Sequence, residues 1–395
     1  MPSACPFVDD TNSEYEINNN LYPHLTNYHH DIGYYSQILA GHVKVNSYRA
    51  DGASGGLVKW FLVQAMNQGI VDKVLQVRQT TNPDSLFEYY IADSPQQVRA
   101  GAKSAYYPTN FAHVIREVLS DKSSSTYAFV GLPCFCHSLR LLQEEFPTLK
   151  TKIPVVVAIF CGHLKSKKYL DLMSLQAGKP DLTDEIVYAD FRYKSDGDLN
   201  ASRYSFFAET STGSIYQRQR TSIPAGDWKI PHLKIKACDF CEDVFGLSAD
   251  VVFGDAWIPP FFSDPKGSNV VIVRSSLAQD IISVSNPDLY IQEISAPELI
   301  KSQGGSYTHR IKDISYRLRD EIDKSGWAPK KRIQPFNPNS QDSQRTKTKR
   351  ERIQQLRVKI RDVSREAMLS IANKTGIATY NDKIKPLISA LNKLY

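Results

Sequence analysis

The sequence predicts an α/β to α+β protein: mixed sheets with flanking helices, a cysteine-bearing core and a helical C-terminal extension. Three observations carry this. Apolar runs at 127–130 and 153–160 alternate with helical segments, as strands of a sheet containing parallel pairs do. Three period-two runs between 185 and 219 read as antiparallel strands. A strongly basic stretch near the C-terminus has apolar residues at steps of three and four.

Taken in order, residues 1–28 are polar and rich in Asn and Tyr, and read as an irregular strap. Residues 29–110 form an N-terminal α/β module. In it, the loop 49–56 leads into an apolar-rich helix at 57–67, with Gly69 as the residue after its end. Strands follow at 73–77 and 86–92. Residues 111–305 form the cysteine-containing module. A helix at 111–120 precedes a strand that delivers Cys134, and a helix at 137–145 stops at Pro147. The next strand delivers Cys161, and the helix at 167–177 ends at Gly178. Antiparallel strands are expected at 185–193, 203–210 and 214–219. Strands at 250–253 and 269–274 flank a loop holding Gly254-Asp255-Ala256-Trp257. Residues 306–395 are a helical basic tail: a helix at 307–324, a proline-bearing linker at 328–343, then a helix with the stripe Ile353, Leu356, Ile360, Val363 and Ala367.

Composition bounds the function. Nine basic and three acidic residues between Arg345 and Glu366 account for the whole formal net charge of +6. The rest is close to neutral, which excludes a nucleic-acid-binding body. The basic helix reads first as a solvated helix that packs on the body, mediates homo-oligomerisation or docks a partner, and second as one that meets an anionic membrane surface or nucleic acid. The N-terminal residues lack a secretory pattern, and no apolar run approaches the roughly 20 residues of a membrane helix. The expected compartment is the cytoplasm, where thiols stay reduced.

Six cysteines are too few for a disulfide scaffold in a chain of 395 residues. Four stand out. Cys134 follows Gly131-Leu132-Pro133, Cys161 lies between Phe160 and Gly162, and Cys238 and Cys241 form a Cys-x-x-Cys knuckle. Cys134 and Cys161 end apolar strands, where open α/β sheets place their sites. If the four converge, they hold either zinc or an iron–sulfur cluster; spacing alone leaves both open. Against this stands the reading that each is a buried apolar thiol. Cys136 is a spare ligand at most. His137 and His163 are loop residues, or donors to the neighbouring sulfurs.

Other polar residues point to a ligand. Ser54-Gly55-Gly56 before a helix suits a phosphate at free backbone N–H groups, or is a serine cap with turn glycines. Lys103, Ser104 and Tyr106 put a cation, a hydroxyl and a ring on one loop. Arg192 and Lys194 share one face of a strand, as an anion site or as a solvated face. Asp255 offers an acceptor and Trp257 a ring for a flat cofactor, or the two make a turn with a packed indole.

In chain order these motifs resemble the beta-subunit family of deazaflavin-coenzyme-reducing hydrogenases and dehydrogenases, which includes members from bacterial polysaccharide loci. The resemblance spans roughly residues 29–310. It rests on Ser54-Gly55-Gly56, Gly101–Tyr106, Gly131–Cys134, Phe160-Cys161-Gly162, Phe191-Arg192-Tyr193-Lys194, Cys238-x-x-Cys241, Gly254–Trp257 and Gly267-Ser268. It implies one 4Fe-4S cluster on Cys134, Cys161, Cys238 and Cys241. It also implies FAD held by Ser54, Gly55, Gly56, Lys103, Ser104, Tyr106, Arg192, Lys194, Asp255 and Trp257. The implied activity is an oxidoreductase that passes electrons between a ferredoxin-like partner and a small organic substrate, serving polysaccharide biosynthesis. Cys5-Pro6 resembles the last ligand of a ferredoxin segment found upstream in relatives. The Phe-Arg-Tyr-Lys motif lacks the acidic residue and Gly-Trp usual there, so the substrate does not transfer. Two alternatives stand beside this: a non-redox zinc-stabilised scaffold or assembly protein, and a binding protein that keeps the cluster without the flavin.

Overall fold

The computed structural model describes residues 4–195, 197, 199–338, 344–371 and 374–395. The last five residues of the expected linker, 339–343, lie outside these. The first strands form a small hairpin, β1 (Asn27–His29) and β2 (Gly33–Tyr35). Eight strands then build the central sheet: β3 (Gln37–Val43), β4 (Lys73–Gln79), β5 (Phe87–Ala92), β6 (Tyr127–Gly131), β7 (Val155–Ile159), β11 (Val251–Asp255), β12 (Asn269–Val273) and β13 (Leu289–Glu293). Between β7 and β11 the chain makes a second sheet from β8 (Ile186–Tyr193), β9 (Ser205–Thr210) and β10 (Ile215–Gln219).

The central sheet has the order β13-β3-β12-β11-β7-β6-β4-β5. Its middle, β11-β7-β6-β4, is parallel, and antiparallel strands extend it on both sides. Strands from residues 29–110 and from 111–305 therefore share one sheet. The parallel strands are apolar at nearly every position because both faces are covered. Tyr127, Phe129, Val156, Ala158, Val270 and Ile272 pack into one core, under the helices Ala112–Ser120 and Pro133–Glu145. The alternate residues Ala128, Val155, Val157, Val271 and Val273 pack into the other, against the helix Leu57–Asn67. Each fully buried Val or Ile contributes about 1.5–3 kcal/mol, so this alternation sets the register.

Two polar anchors lock the interior. Arg274 is fully buried and donates to the carbonyls of Tyr34, Ile32, Phe245, Gly246 and Ala249. Asp250 accepts from Arg140, Tyr22 and the Val156 amide. Burial and the Asp250 charge push the Tyr22 phenol up.

Three expectations needed correction. The N-terminal strap is not wholly irregular: Glu14–Leu21 is a helix with a Ser13/Glu16 capping box. The helix after β6 begins at Pro133 rather than 137, since proline at the first helical position needs no N–H partner. The basic helix, Gln344–Leu369, is followed by a second, Lys374–Asn392. The stripe faces inward: Ile360 is fully buried, and Ala367 and Met368 join Tyr380 and Ile384 against the second sheet's core. Arg361 bridges the buried Asp239, and Arg350 bridges Asp313. These two helices pack together as a C-terminal helical hairpin, whose inner face is thus committed to the body.

Candidate functional site

A cleft of about 580 Å³ opens where the carboxyl ends of β6, β7 and β11 face the second sheet. Its place follows from the topology. Parallel strands end together, and the period-two pattern of β8 sends Ala189 and Phe191 into the core and Asp190 and Arg192 towards the cleft.

The four cysteines come from separate segments to one wall. Cys134 lies in the first turn of the Pro133–Glu145 helix, Cys161 follows β7, Cys238 lies in the short helical turn Lys236–Asp239, and Cys241 follows it before β11. Gly162, His163, Leu164 and Arg310 separate them from the cleft. Burial first, then the mutual repulsion of Cys241, Cys161 and Cys238, pushes the Cys134 thiol well up. Burial pushes Cys161 up to about 12 and raises Cys238 as well. Such thiols stay protonated until a metal charge compensates them, so loading releases protons. Donors already face the sulfurs: the Leu164 amide lies 3.3 Å from Cys238 Sγ, and Arg310 donates to Cys241 Sγ and the Cys161 carbonyl. Among the described residues, no three His, Cys, Asp or Glu side chains converge as a single-ion site requires. The Arg310 guanidinium lies beside the thiols and couples to Cys241, Cys161 and Cys238. Sulfurs on one zinc stand about 4 Å apart, given Zn–S bonds of about 2.3 Å. Thiolates that each take a separate iron need a wider cage.

Cys136 is no spare ligand. Its thiol is fully buried and points to the Val157 carbonyl, 3.5 Å away. His137 also turns from the sulfurs, to the Asn12 carbonyl at 2.7 Å. His163 does line the cleft, 4.8 Å from Trp228 between ring centres, and its buried Nε2 has no hydrogen-bond partner among the described residues.

Of the expected flavin residues, Ser54, Gly56, Lys103, Ser104, Tyr106, Arg192, Asp255 and Trp257 line the cleft. Gly55 does not. A Cβ there would meet Asn269 and the Gly41 carbonyl within 3 Å, so it packs the loop onto β3 and β12. Ser54 is no cap: its hydroxyl donates to the Ser268 carbonyl at 2.8 Å, and Gly56 at φ 82° begins the helix. Lys194 lies behind the lining and donates to the carbonyls of Arg49, Ser54 and Lys266, tying the glycine loop to the 266–268 loop. Burial and the Arg192 charge lower it to about 7. Arg192 bridges Asp255 at 2.7 Å and lies over the Trp257 and Tyr204 rings. Lys103 bridges Asp190 at 2.9 Å.

Sequence reading missed several cleft residues. Lys59 hides in an apolar helix; it donates to the carbonyls of Asp51, Arg99 and Gly101, and burial lowers it to about 8. A lone lysine amid apolar helix positions was the available signal. Trp228, Lys229, Lys234, His309, Arg310 and Arg357 also line the cleft from irregular or tail segments, where no period marks them.

Residues 38–116 match the family model for the N-terminal part of the coenzyme F420 hydrogenase/dehydrogenase beta subunit, and residues 124–298 match the model for its C-terminal part. A component of the F(420)H(2) dehydrogenase of Methanosarcina mazei is 22% identical over 251 residues, which is 63% of this chain. The aligned part spans 64% of that relative's length. A chain in the xenon-derivatised structure of the F420-reducing [NiFe] hydrogenase complex from Methanosarcina barkeri shares the fold, with a TM-score of 0.56 and 14% identity. That superposition covers 80% of this chain and 100% of the other. With both family domains matched in order across the central sheet and the cysteine wall, the chain belongs to the beta-subunit family of coenzyme F420 hydrogenases and dehydrogenases.

Proposed function

We propose that this chain is an oxidoreductase subunit that carries one 4Fe-4S cluster on Cys134, Cys161, Cys238 and Cys241 and FAD in the adjoining cleft. In this reading it exchanges electrons with a ferredoxin-like partner and reduces or oxidises a small organic substrate. The observation that carries it is the gathering of four cysteines from three separate segments behind one wall of a cationic, aromatic-lined cleft. The cleft volume suits a cofactor of that size class. The two groups together would supply two-electron chemistry towards the substrate and one-electron transfer towards the partner.

The residues have separable tasks. Cys134, Cys161, Cys238 and Cys241 supply the thiolates, with the Leu164 amide and Arg310 directed at the sulfurs. Arg192, held by Asp255, and Lys103, held by Asp190, present positive charge without free rotation. Tyr106 and Trp228, with ring centres 4.4 Å apart, wall off water and offer flat faces. A role in polysaccharide biosynthesis rests on the sequence resemblance alone. No helix among the described residues is long and apolar enough to cross a membrane.

Anaerobic purification with iron, sulfide and flavin analysis tests the reading. About four irons and one flavin per chain are expected. Iron without flavin would favour a protein that carries the cluster alone. One zinc and no flavin would overturn the proposal in favour of a scaffold.

A further inference from the structure

Beyond the residues assigned to the flavin, a second group of cations lines the cleft, here called its inner end, and two of the four come from chain beyond the matched family domains. Lys229, Lys234, Arg310 and Arg357 line it, with His163 and His309. Arg357 belongs to the helix Gln344–Leu369 and His309 to the turn Thr308–Lys312, both beyond residue 298. Arg357 is buried and donates to the Lys229 carbonyl. Lys165, also fully buried, donates to the His232 carbonyl and lies 4.9 Å from the Trp228 ring centre.

Carboxylates neutralise only part of this group, Lys234 by Asp239. Among the described residues neither Arg357 nor Lys165 has an acidic side chain within ion-pair distance. Asp239 is taken by Lys234 and Arg361, and Asp313 by Arg350 and Gln354. Asp227 faces Arg357 and Lys165 only at longer range. The buried His163 Nε2 lacks a hydrogen-bond partner among the described residues, while His309 is held by Gln354 and Tyr395. A buried cation without a counter-charge is costly, and so is an unpaired buried polar atom. An entering anion would relieve both.

We infer that the inner end of the cleft, completed by Arg357 of the C-terminal hairpin, is an oxyanion site that holds a carboxylate or phosphate of the organic substrate. Lys229 and Arg357 supply the charge, and His163 supplies a donor through its unpartnered Nε2. This builds on the proposed function only in leaving the outer cleft to the flavin. The hairpin becomes part of the substrate site, as well as a clamp on the fold.

The test is calorimetric titration of the full-length protein with inorganic phosphate, with and without bound FAD. Phosphate should bind equally in both states. Arg357→Gln should weaken it about tenfold, the loss of one charge-assisted hydrogen bond, with iron and flavin contents unchanged. Arg357→Lys should retain most of the binding. Arg192→Gln, at the outer end, should lower flavin content and leave phosphate binding intact. Loss of phosphate binding on FAD loading would overturn the proposal, since the anion would then be the flavin's own pyrophosphate. Wild-type phosphate affinity in folded Arg357→Gln would overturn it too. If that variant does not fold, the exposed Lys229→Gln takes its place, and unchanged affinity there has the same meaning. A protein that takes up neither iron nor flavin would sink the proposed function, while its phosphate titration still decides this site.

Discussion

The two ends of the cleft handle buried charge in opposite ways. At the outer end each cation has its partner within the chain: Arg192 on Asp255, Lys103 on Asp190, Lys59 and Lys194 on backbone carbonyls. At the inner end Lys234 pairs with Asp239, but Lys165 and Arg357 have no carboxylate at ion-pair distance among the described residues, only carbonyls, rings and the Tyr395 hydroxyl, and Arg310 leans on the cysteines. An end that satisfies itself is preorganised and binds a ligand with little rearrangement. An end left positive is poised for groups that bring negative charge, such as metallated thiolates and a substrate oxyanion. The protein therefore stores its demand for anions beside the cysteines.

The sharpest way to break this comparison is at the sulfurs. Cys241→Ala should reduce bound iron from about four per chain to near zero, because one corner of the cage is lost. Cys136→Ala should keep the iron, since its thiol faces Val157; iron and sulfide analysis of both proteins decides. Equal loss in both would mean that the buried thiol is a ligand.

A smaller effect is expected at the clamp. Arg361→Ala leaves Asp239 with Lys234 alone in a buried setting. It should cost about 3 kcal/mol in urea unfolding, as for a broken buried pair. Arg352→Ala, on the exposed side of the same helix, should stay within about 0.5 kcal/mol. Comparable effects would show that the hairpin is not held by its inner charges.

The smallest effect concerns the outer end and pH. Lys194 and Lys59 titrate at about 7 and about 8, both lowered chiefly by burial. An anionic ligand favours their charged forms, so binding takes up protons. FAD affinity should therefore fall as pH rises through 7 to 9, and fluorescence titration of apoprotein reads it. Without ligand the sign for stability is opposite. The unfolded chain binds more protons between these values and the ordinary lysine value, so these two groups favour folding as pH rises there. Flat FAD affinity across this range would place both lysines outside the ligand's field.

Much of the fold was legible because the period of the apolar residues matches the layer that covers them. Val155–Ile159 and residues 270–273 are apolar throughout since helices lie on both faces. The stripe from Ile353 to Ala367 marked the hairpin's buried side. Arg357 and Arg361 were legible only as charge, because a basic residue beside an apolar stripe reads the same whether it meets water or Asp239. Gly55 was misread for a related reason. Ser-Gly-Gly before a helix has one appearance for a phosphate loop and for a loop packed on a strand.

By itself, then, the sequence determined the alternation of strands and helices, the family resemblance and the four cysteines, all features written in local spacing. Only the tertiary structure decided which face of the cleft carries unpaired charge and that the tail supplies Arg357 to it. Whether a buried cation is neutralised depends on partners more than a hundred residues away, as with Arg361 and Asp239. No local pattern encodes that distance.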